Sequence, residues 1–354
     1  MTRRSSLFAI AVVMTAVQVS SLLAADTVTR KSDGKRFLGT ITDMTKTEFK
    51  VKKQTAGEPD VIQANDVTSI EWDGASPELR LGIADDNGGK YESAVQRYQK
   101  AQKDSKSPSA ALKAELDYLI ARANARIALV EPAKLATAIK ELQAVQKGSP
   151  QHYRYYESVI LLGQLQIANG DFVGARATYD LLAKAPWSDS KLAAQVASGT
   201  ILVAENKLDE AIKVFEAAAA SAGDSPGEQV RKYEAMLGQA RALVAQSKFE
   251  EALKILELVT DKGPIEESAL QAEAYVLQGD ALQALGRMKE AALAYLHVEI
   301  LFSRESTAHA AALFHLAKIW KLVNLPERSA DAESKLVQTY PNSPWRKKLG
   351  TPAE

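Results

Sequence analysis

Two stretches of the sequence carry the same small and aromatic residues at the same spacing. They read GQLQIANGDFVGARATYDLLAKAP at Gly163–Pro186 and GDALQALGRMKEAALAYLHV at Gly279–Val298. The positions that they share are Gly163 and Gly279, Gly170 and Gly286, Ala175 and Ala291, and Tyr179 and Tyr295. Small residues let two helices cross closely, and an aromatic ring one turn further along fills the gap beside them. The pattern therefore predicts repeated pairs of packed helices.

The same pattern continues through most of the chain, from Ser76 onward. An alanine recurs at intervals of roughly 40 residues, a period typical of helical repeats, at Ala94, Ala138, Ala175, Ala211, Ala252, Ala291 and Ala330. Four positions after each alanine come Tyr98, Leu142, Tyr179, Phe215, Leu256, Tyr295 and Ser334. Twelve positions before each alanine come Gly82, Arg126, Gly163, Gly199, Ala240, Gly279 and Lys318. Clusters rich in proline, glycine and serine separate the units, so we expect seven helical hairpins.

These positions resemble the tetratricopeptide repeat family, in which a small residue, an alanine with a bulky residue one turn later, and a closing proline recur. The resemblance implies a mainly α protein, with an α-solenoid over residues 75–345 and a C-terminal tail at 346–354. Two units depart from the pattern: the second has Arg126 at the small position, and the last has Lys318 and Ser334. We expect a lengthened helix in the second unit. We expect the last unit to be atypical because it caps the stack.

Residues 26–74 have the pattern of a small all-β module. Five short runs alternate polar and apolar residues and are rich in Thr, Val, Ile and Phe, and Asp33-Gly34 is typical of a tight hairpin turn. The number and length of these runs resemble the Sm-like and Src-homology-like small barrels. A lysine cluster on one predicted hairpin consists of Lys46, Lys50, Lys52 and Lys53. Because acidic residues are mixed into the same module, we interpret this cluster as a solvated strand face rather than an RNA-binding surface.

Residues 1–25 have the three-part order of a secretory signal peptide. The segment begins with Arg3 and Arg4, continues with the apolar run Leu7–Val17 and ends in small residues up to Ala25. We expect cleavage after position 24 or 25 and export to the periplasm or cell envelope of a bacterium. The alternative is that the segment is retained as an anchor, and only in that case does the sequence predict an association with the membrane.

Composition excludes several classes of function. The chain of 354 residues has 44 Lys and Arg against 44 Asp and Glu, and this balance argues against bulk electrostatic binding to nucleic acid. The absence of cysteine excludes disulfides, thiolate catalysis, cysteine-based zinc sites and iron–sulfur clusters. The sequence has no H-E-x-x-H, no phosphate-binding glycine loop and no G-x-S-x-G. We therefore predict a protein that is not an enzyme and needs no cofactor or metal.

A few residues remain that could carry chemistry or recognition. The histidines His152, His297, His309 and His315 are not spaced to share a helix face as metal ligands. The acidic stretch Asp85–Gly89 has adjacent rather than alternating acids, so we interpret it as a turn between two helices and not as a calcium loop. The tyrosines Tyr153, Tyr155 and Tyr156 form either an exposed recognition patch or a wedge that packs against the preceding helix.

The resemblance implies that the first helices line a concave groove and that fixed positions around their small residues face into it. Three positions before and one position after the small residue lie Ile160, Gln164, Val196, Thr200, Leu237, Arg241, Val276 and Asp280. We predict that this groove holds a protein or peptide partner, so that the chain is an exported scaffold of a cell-envelope assembly. Two alternatives stay open. The apolar row is buried by tight curvature and binds nothing, or the β module binds the partner and the repeats act as a spacer or self-association surface. The sequence does not indicate an oligomeric state.

Overall fold

The structure is a computed structural model that describes residues 25–53, 57–105 and 108–349. The predicted signal segment lies outside the described residues apart from its last residue, Ala25. Within the described part of the chain, no helix combines the length and the apolar character that crossing a bilayer requires.

The described chain begins with a five-stranded antiparallel sheet, which confirms the predicted β module. The strands are β1 (Asp26–Arg30), β2 (Arg36–Met44), β3 (Glu48–Lys52), β4 (Asp60–Gln63) and β5 (Val67–Glu71). They form a meander in which β5 returns to pair with β1, giving the order β4-β3-β2-β1-β5. Gly34 in the first hairpin has a φ of 67°, the left-handed conformation that the Asp-Gly turn needs. Val28, Phe49 and Val51 are fully buried on the inner face of the sheet.

Fifteen helices make up most of the remaining described residues. They are α1 (Pro77–Asn87), α2 (Tyr91–Asp104), α3 (Ala110–Val130), α4 (Leu135–Gly148), α5 (Tyr155–Ala168), α6 (Phe172–Ala183), α7 (Ser188–Ala204), α8 (Leu208–Ser221), α9 (Pro226–Ala245), α10 (Phe249–Lys262), α11 (Ser268–Ala284), α12 (Met288–Leu301), α13 (Ser306–Leu322), α14 (Pro326–Thr339) and α15 (Pro344–Lys348). Serine caps start several of them. The hydroxyl of Ser225, for example, accepts the backbone N–H of Glu228, and the hydroxyl of Ser76 accepts that of Glu78.

The first fourteen of these helices form seven antiparallel hairpins, and α15 packs on the last one, which confirms the predicted α-solenoid. The odd-numbered helices from α3 to α13 contact one another in succession, whereas the even-numbered helices pack chiefly against odd-numbered ones. The first helix of each hairpin therefore belongs to an inner layer and the second helix to an outer layer. This arrangement fixes which face of each helix is available to a partner.

The turn inside each hairpin repeats one backbone feature. A residue in the left-handed conformation, with φ between 60° and 76°, follows the first helix at Gly89, Gly170, Asn206, Ser247, Gly286 and Asn324. Glycine and asparagine adopt this conformation most easily, and they occupy every one of these six positions except Ser247. The corresponding turn of the second hairpin contains Pro132, whose φ is fixed near −65°. The chain there makes the 3-10 turn Pro132–Lys134 instead, after the 21-residue helix α3, which is the lengthened helix predicted for this unit.

Two hairpins have their small residues one position earlier than the spacing predicted. In the second hairpin the fully buried residue is Ala125, and the neighbouring Arg126 reaches the surface. In the last hairpin Ala317 is 1% exposed, and its carbonyl accepts the hydroxyl of Ser329 at 2.8 Å. Ser329 is therefore the buried small residue of α14, and the predicted Ala330 is exposed. The departures assigned to Arg126 and Lys318 are thus shifts of register by one residue.

The β module is part of the same core as the first hairpins. Residues from β1 to β5 form one hydrophobic cluster with helices α1, α2 and α3. The ring of Phe49 on β3 meets the ring of Tyr153 edge-on, with the centroids 4.9 Å apart. The indole of Trp187 also donates to the side-chain oxygen of Gln63 at 3.4 Å. The sheet therefore caps the first end of the helical stack.

The two ends of the helical stack meet. Asn342, in the loop before α15, donates to the carboxylate of Glu131 after α3 at 3.1 Å, across 211 residues of sequence. Gly89, in the first hairpin, lies against the backbone carbonyl of Arg304. Val130 packs against the hydrophobic cluster of the last hairpins. These contacts, which we call the seam, close the array on itself.

Candidate partner-binding surface

The concave face is formed by the inner helices, and the predicted groove residues lie on four of them: α5, α7, α9 and α11. The apolar residues of the set pack into four different core clusters. Ile160, Val196 and Val276 are half-buried at cluster edges, and Leu237 is only 4% exposed. This row therefore offers little free apolar surface to a partner.

The polar row next to it is more accessible. Gln164 is exposed, while Thr200, Arg241 and Asp280 are half-buried. Thr200 donates its hydroxyl to the carbonyl of Val196 at 3.1 Å, a bond within its own helix. The four side chains follow one another along successive inner helices. Together they form a polar strip, which we call the concave strip.

Arg241 is held in place by a carboxylate from the next inner helix. Its guanidinium donates to Glu273 at 2.8 Å, and the two side chains are 34% and 51% exposed. An ion pair this exposed contributes little to stability because water screens it. Its donors and acceptors can therefore be exchanged for those of a ligand at small cost.

Asp280 belongs to a polar network that sequence reasoning had not assembled. The hydroxyl of Tyr295 donates to Asp280 at 2.6 Å, and His315 lies 3.6 Å from the same carboxylate. The His315 ring stacks on Tyr295 and bonds Gln283 at 3.2 Å. Burial lowers the pKa of His315, and burial with Asp280 beside it raises the pKa of Tyr295 above its usual range. The predicted groove set stopped at α11, so it did not include His315 on α13.

A second polar network lies on the first two inner helices. The fully buried carboxylate of Asp86 accepts from Arg122 and from Arg126, each at 2.5 Å, and from the hydroxyl of Tyr98 at 3.2 Å. Burial disfavours a charged guanidinium, but Asp86 raises the pKa of Arg122 above its usual range. The stretch Asp85–Gly89 thus ends a helix and begins a turn, as predicted, and its second acid is a buried structural anchor.

The tyrosine cluster packs against the β module. Tyr153 is 4% exposed, and its hydroxyl donates to the buried carboxylate of Glu115 at 3.0 Å. The rings of Tyr155 and Tyr156 lie 4.9 Å and 5.7 Å from the ammonium group of Lys46. The packing interpretation of this cluster therefore holds. Because Lys46 contacts these two rings, it does not belong to the solvated lysine face that the sequence predicted.

Two other lysines of the cluster pair with acids of neighbouring strands. Lys50 lies 3.3 Å from Asp43, and Lys53 lies 3.1 Å from Asp60. Each of these two lysines is thus paired with a carboxylate. The contacts agree with a solvated strand face.

The histidines lie apart from one another in the fold. His152 faces Glu115 at 3.3 Å, His309 bonds the hydroxyl of Tyr340 at 2.8 Å, and His297 bonds the carbonyl of Leu293. Within residues 25–53, 57–105 and 108–349, no three His, Asp or Glu side chains are grouped to hold a metal ion.

A cleft of about 480 Å³ lies at the seam. Its walls come from the first turn, the end of α3 and the loop before α15, and include Tyr91, Tyr340 and Glu131. The lining combines the apolar side chains of Ile127 and Val130 with hydroxyl groups such as that of Ser303. Burial raises the pKa of Tyr91, whose hydroxyl bonds Ser306 across the seam.

Comparison with known proteins gives a repeat-family match over part of the chain and a similar fold. A family model described as "Tetratricopeptide repeat" matches residues 160–228, 196–264 and 237–301. The solved structure of the Rap conjugation gene regulator of the plasmid pLS20 in complex with the Phr* peptide is similar at 16% identity and a TM-score of 0.52, with 74% of each chain covered. At 16% identity, this similarity shows a shared fold and does not extend to function.

Two further solved structures are similar at lower scores. A tetratricopeptide repeat protein from Parabacteroides merdae ATCC 43184 is 18% identical with a TM-score of 0.45, and the match covers 77% of this chain and 95% of that one. PilW, a type IV pilus biogenesis factor, is 16% identical with a TM-score of 0.43, covering 68% of this chain and 99% of that one. A search of curated sequences finds no match.

Proposed function

We propose that the chain is a non-enzymatic scaffold that holds a protein or peptide partner on its concave face, since the tetratricopeptide repeat model matches it between residues 160 and 301. The observation that supports this most directly is the concave strip. Gln164, Thr200, Arg241 and Asp280 occupy the same register on successive inner helices. A row of donors and acceptors at a regular interval suits an extended peptide, whose backbone repeats its own polar groups.

The partner is expected to be bound through polar contacts more than through apolar ones. The apolar row is already packed into core clusters, so it adds little hydrophobic stabilisation to binding. The Rap regulator of plasmid pLS20, which shares the fold, was solved with the Phr* peptide. A peptide ligand is therefore the first class to test.

The place of action that we propose is the cell envelope or periplasm of a bacterium. This rests on the N-terminal sequence, with its arginine pair, apolar run and small residues. Mass spectrometry of the protein purified from an envelope fraction tests it. An N-terminus at Ala25 or Asp26 is expected. A chain that still begins at Met1 would support the anchor instead.

Selection from a displayed library of random peptides tests the concave strip. The target is the mature chain, compared with a double variant, Gln164→Glu with Arg241→Glu, and with Lys213→Glu on the outer face of α8. We expect selected peptides to bind the mature chain and the Lys213 variant, and to lose binding to the double variant. If the selected peptides bound all three chains equally, the concave strip would not be their binding site. We leave Val276 unchanged because it is half-buried and its substitution would disturb the core.

One observation favours a second function, in which the β module binds the partner. Leu38 on β2 and Val61 on β4 are 58% and 54% exposed, so the sheet presents apolar side chains to solvent. Deleting the module would uncover the core of the first hairpins, so point substitutions are the better test. If the concave strip binds the selected peptides, a variant with Leu38→Glu and Val61→Glu should still bind them. If the β module binds them, this variant should no longer do so.

A further inference from the structure

The outer face of α12 differs from that of the other outer helices. Leu293, Ile300 and Leu301 are 58%, 70% and 64% exposed, and His297 between them is also exposed. These four residues follow the helical spacing of one stripe, and we call them the α12 stripe. The opposite face of the same helix buries Ala291, Tyr295 and Val298 in the core. The helix is therefore apolar on two faces, which is typical of an element that is covered on both sides.

The repeat supplies an internal comparison. The same four positions of the five preceding outer helices hold lysine, glutamine, aspartate, serine, glycine and alanine, with leucine only at Leu181 and Leu258. Those side chains are typical of a solvent-facing surface. The apolar stripe is thus specific to the sixth hairpin and is not a general consequence of packing outer helices.

The sequence of the stripe is symmetric about His297. Leu293 and Leu301 lie four residues before and after it, and Glu290 and Arg304 lie seven residues before and after it. Arg304 lies in the turn that follows the end of α12 at Leu301. In an antiparallel pairing of two α12 helices about a two-fold axis at His297, each leucine meets a leucine, and each Glu290 lies toward the turn that carries Arg304 of the other copy. An isologous interface requires this self-complementarity, because the same patch serves both subunits.

We propose that the chain forms a two-fold homodimer through α12, paired antiparallel with α12 of a second copy about an axis at His297. Leu258 on α10 and Val337 on α14 are also exposed apolar residues of outer helices, at 42% and 41%. Glu290 is bonded to Arg287 of its own helix, but both side chains are about half exposed, so the pair exchanges partners easily. The dimer is independent of what the concave strip binds, since the two surfaces lie on opposite layers.

Sedimentation velocity over a range of concentrations tests the interface. The full mature chain is expected to associate as a dimer, and Leu293→Glu or Ile300→Glu is expected to leave only monomer, with an unchanged circular dichroism spectrum. The matched control is Lys254→Glu, at the position of α10 that corresponds to Leu293. It should remain dimeric. A chain that is monomeric at every concentration, or a dimer unaffected by Leu293→Glu, would overturn the proposal, even if α12 were then found to bind another protein.

Charge reversal tests the antiparallel register. Glu290→Arg and Arg304→Glu are each expected to weaken the dimer by about tenfold, because each places like charges opposite one another. The double variant should recover most of the affinity, since it restores both pairs with their signs exchanged. Single variants that have no effect, or a double variant weaker than either single one, would exclude this register.

A single cysteine tests the position of the axis. Because the chain has no cysteine, His297→Cys introduces only one thiol, and a residue on a two-fold axis faces its own copy. Mild oxidation is expected to link most of the protein into a disulfide dimer. Lys213→Cys on α8 is the control and should stay monomeric on a non-reducing gel. Equal cross-linking of both variants would place the axis elsewhere.

Discussion

Gly163 on α5 lies directly beneath the ring of Tyr179 on α6: a methyl group on Gly163 would approach Cζ of that ring to 2.3 Å. The same relationship joins Gly82 to Tyr98, Gly199 to Phe215 and Gly279 to Tyr295, with closest approaches of 2.5 to 2.6 Å. The absence of a side chain on the first helix is what makes room for the ring on the second. This contact sets how closely the two helices of a hairpin cross.

Gly163→Ala should therefore lower the free energy of unfolding by about 1–3 kcal/mol, because the added methyl group overpacks a dense crossing. Gly148→Ala is the control, since nothing lies within 4 Å of the position that its methyl group would take. It should be neutral or slightly stabilising. Chemical denaturation of both variants measures the difference. Equal stabilities would contradict the assigned contact.

The seam can be tested at Gly89. Gly89→Ala would strain a residue with a φ of 73° and would also bring its methyl group to 2.7 Å from the carbonyl oxygen of Arg304. Gly170→Ala imposes the same kind of backbone strain, at a φ of 76°, but meets nothing within 4 Å. We expect the Gly89 variant to be less stable than the Gly170 variant by about 1–3 kcal/mol.

The same pair of variants reports on the shape of the array. If the seam closes it, small-angle scattering should give a larger radius of gyration for the Gly89 variant and no change for the Gly170 variant. Matching stabilities and matching radii would show that the two ends do not constrain each other in solution.

The buried carboxyl group of Glu115 is expected to make the stability of the fold depend on pH. Burial by itself would raise the pKa of this carboxyl, but Arg154 and His152 beside it lower the pKa from 4.5 to about 2. Because the folded pKa lies below the unfolded one, the carboxylate stabilises the fold above about pH 4.5, and this contribution is lost as the pH falls to about 2. Glu115→Gln should cost about 3–5 kcal/mol at neutral pH, since it leaves the buried Arg154 with only the half-exposed carboxylate of Glu157.

The difference in the free energy of unfolding between the wild-type chain and the Glu115→Gln variant should become smaller as the pH falls from about 4.5 to about 2. Glu157→Gln is the control: its carboxylate bonds the same Arg154, at 2.9 Å, but is 50% exposed. It should lose much less stability at neutral pH. Denaturation curves at a series of pH values measure both variants. If the stability difference between the wild-type chain and the Glu115 variant stayed constant across the pH series, the ion pair between Glu115 and Arg154 would be contradicted.

Docking of the β module depends on Phe49. Phe49→Ala should destabilise the chain by about 3–5 kcal/mol, because the ring is fully buried between the sheet and Tyr153. Leu38→Ala on the exposed face of the same sheet should change the stability very little. Calorimetry should show that the Phe49 variant unfolds with a separate early transition. A single transition at the wild-type temperature would mean that the module and the helices are not energetically linked.

Most of the architecture could be predicted from local patterns. The spacing of Gly163, Ala175 and Tyr179 predicts a hairpin because helix crossing needs a small residue opposite a large one, whatever lies elsewhere in the chain. The predicted register failed by one residue in the second and last hairpins. There the spacing rule pointed to Arg126 and Lys318, whereas the buried residues are Ala125 and Ala317. In the second hairpin the turn between the helices differs, and a fixed spacing cannot detect that change. In the last hairpin the spacing of 12 residues holds between Ala317 and Ser329, and the error came from taking Ala330 as the buried residue of the second helix.

The sequence by itself determined the secondary structure, the number of hairpins and the residues at their crossings, because those depend on contacts between residues close in the chain. Only the tertiary structure decided which polar groups meet. The pairing of Asp280 with His315, the docking of Phe49 on Tyr153 and the bond from Asn342 to Glu131 join distant parts of the chain. Small rotations from hairpin to hairpin add up along the stack. The meeting of the two ends is therefore a property of the whole array that no single repeat encodes.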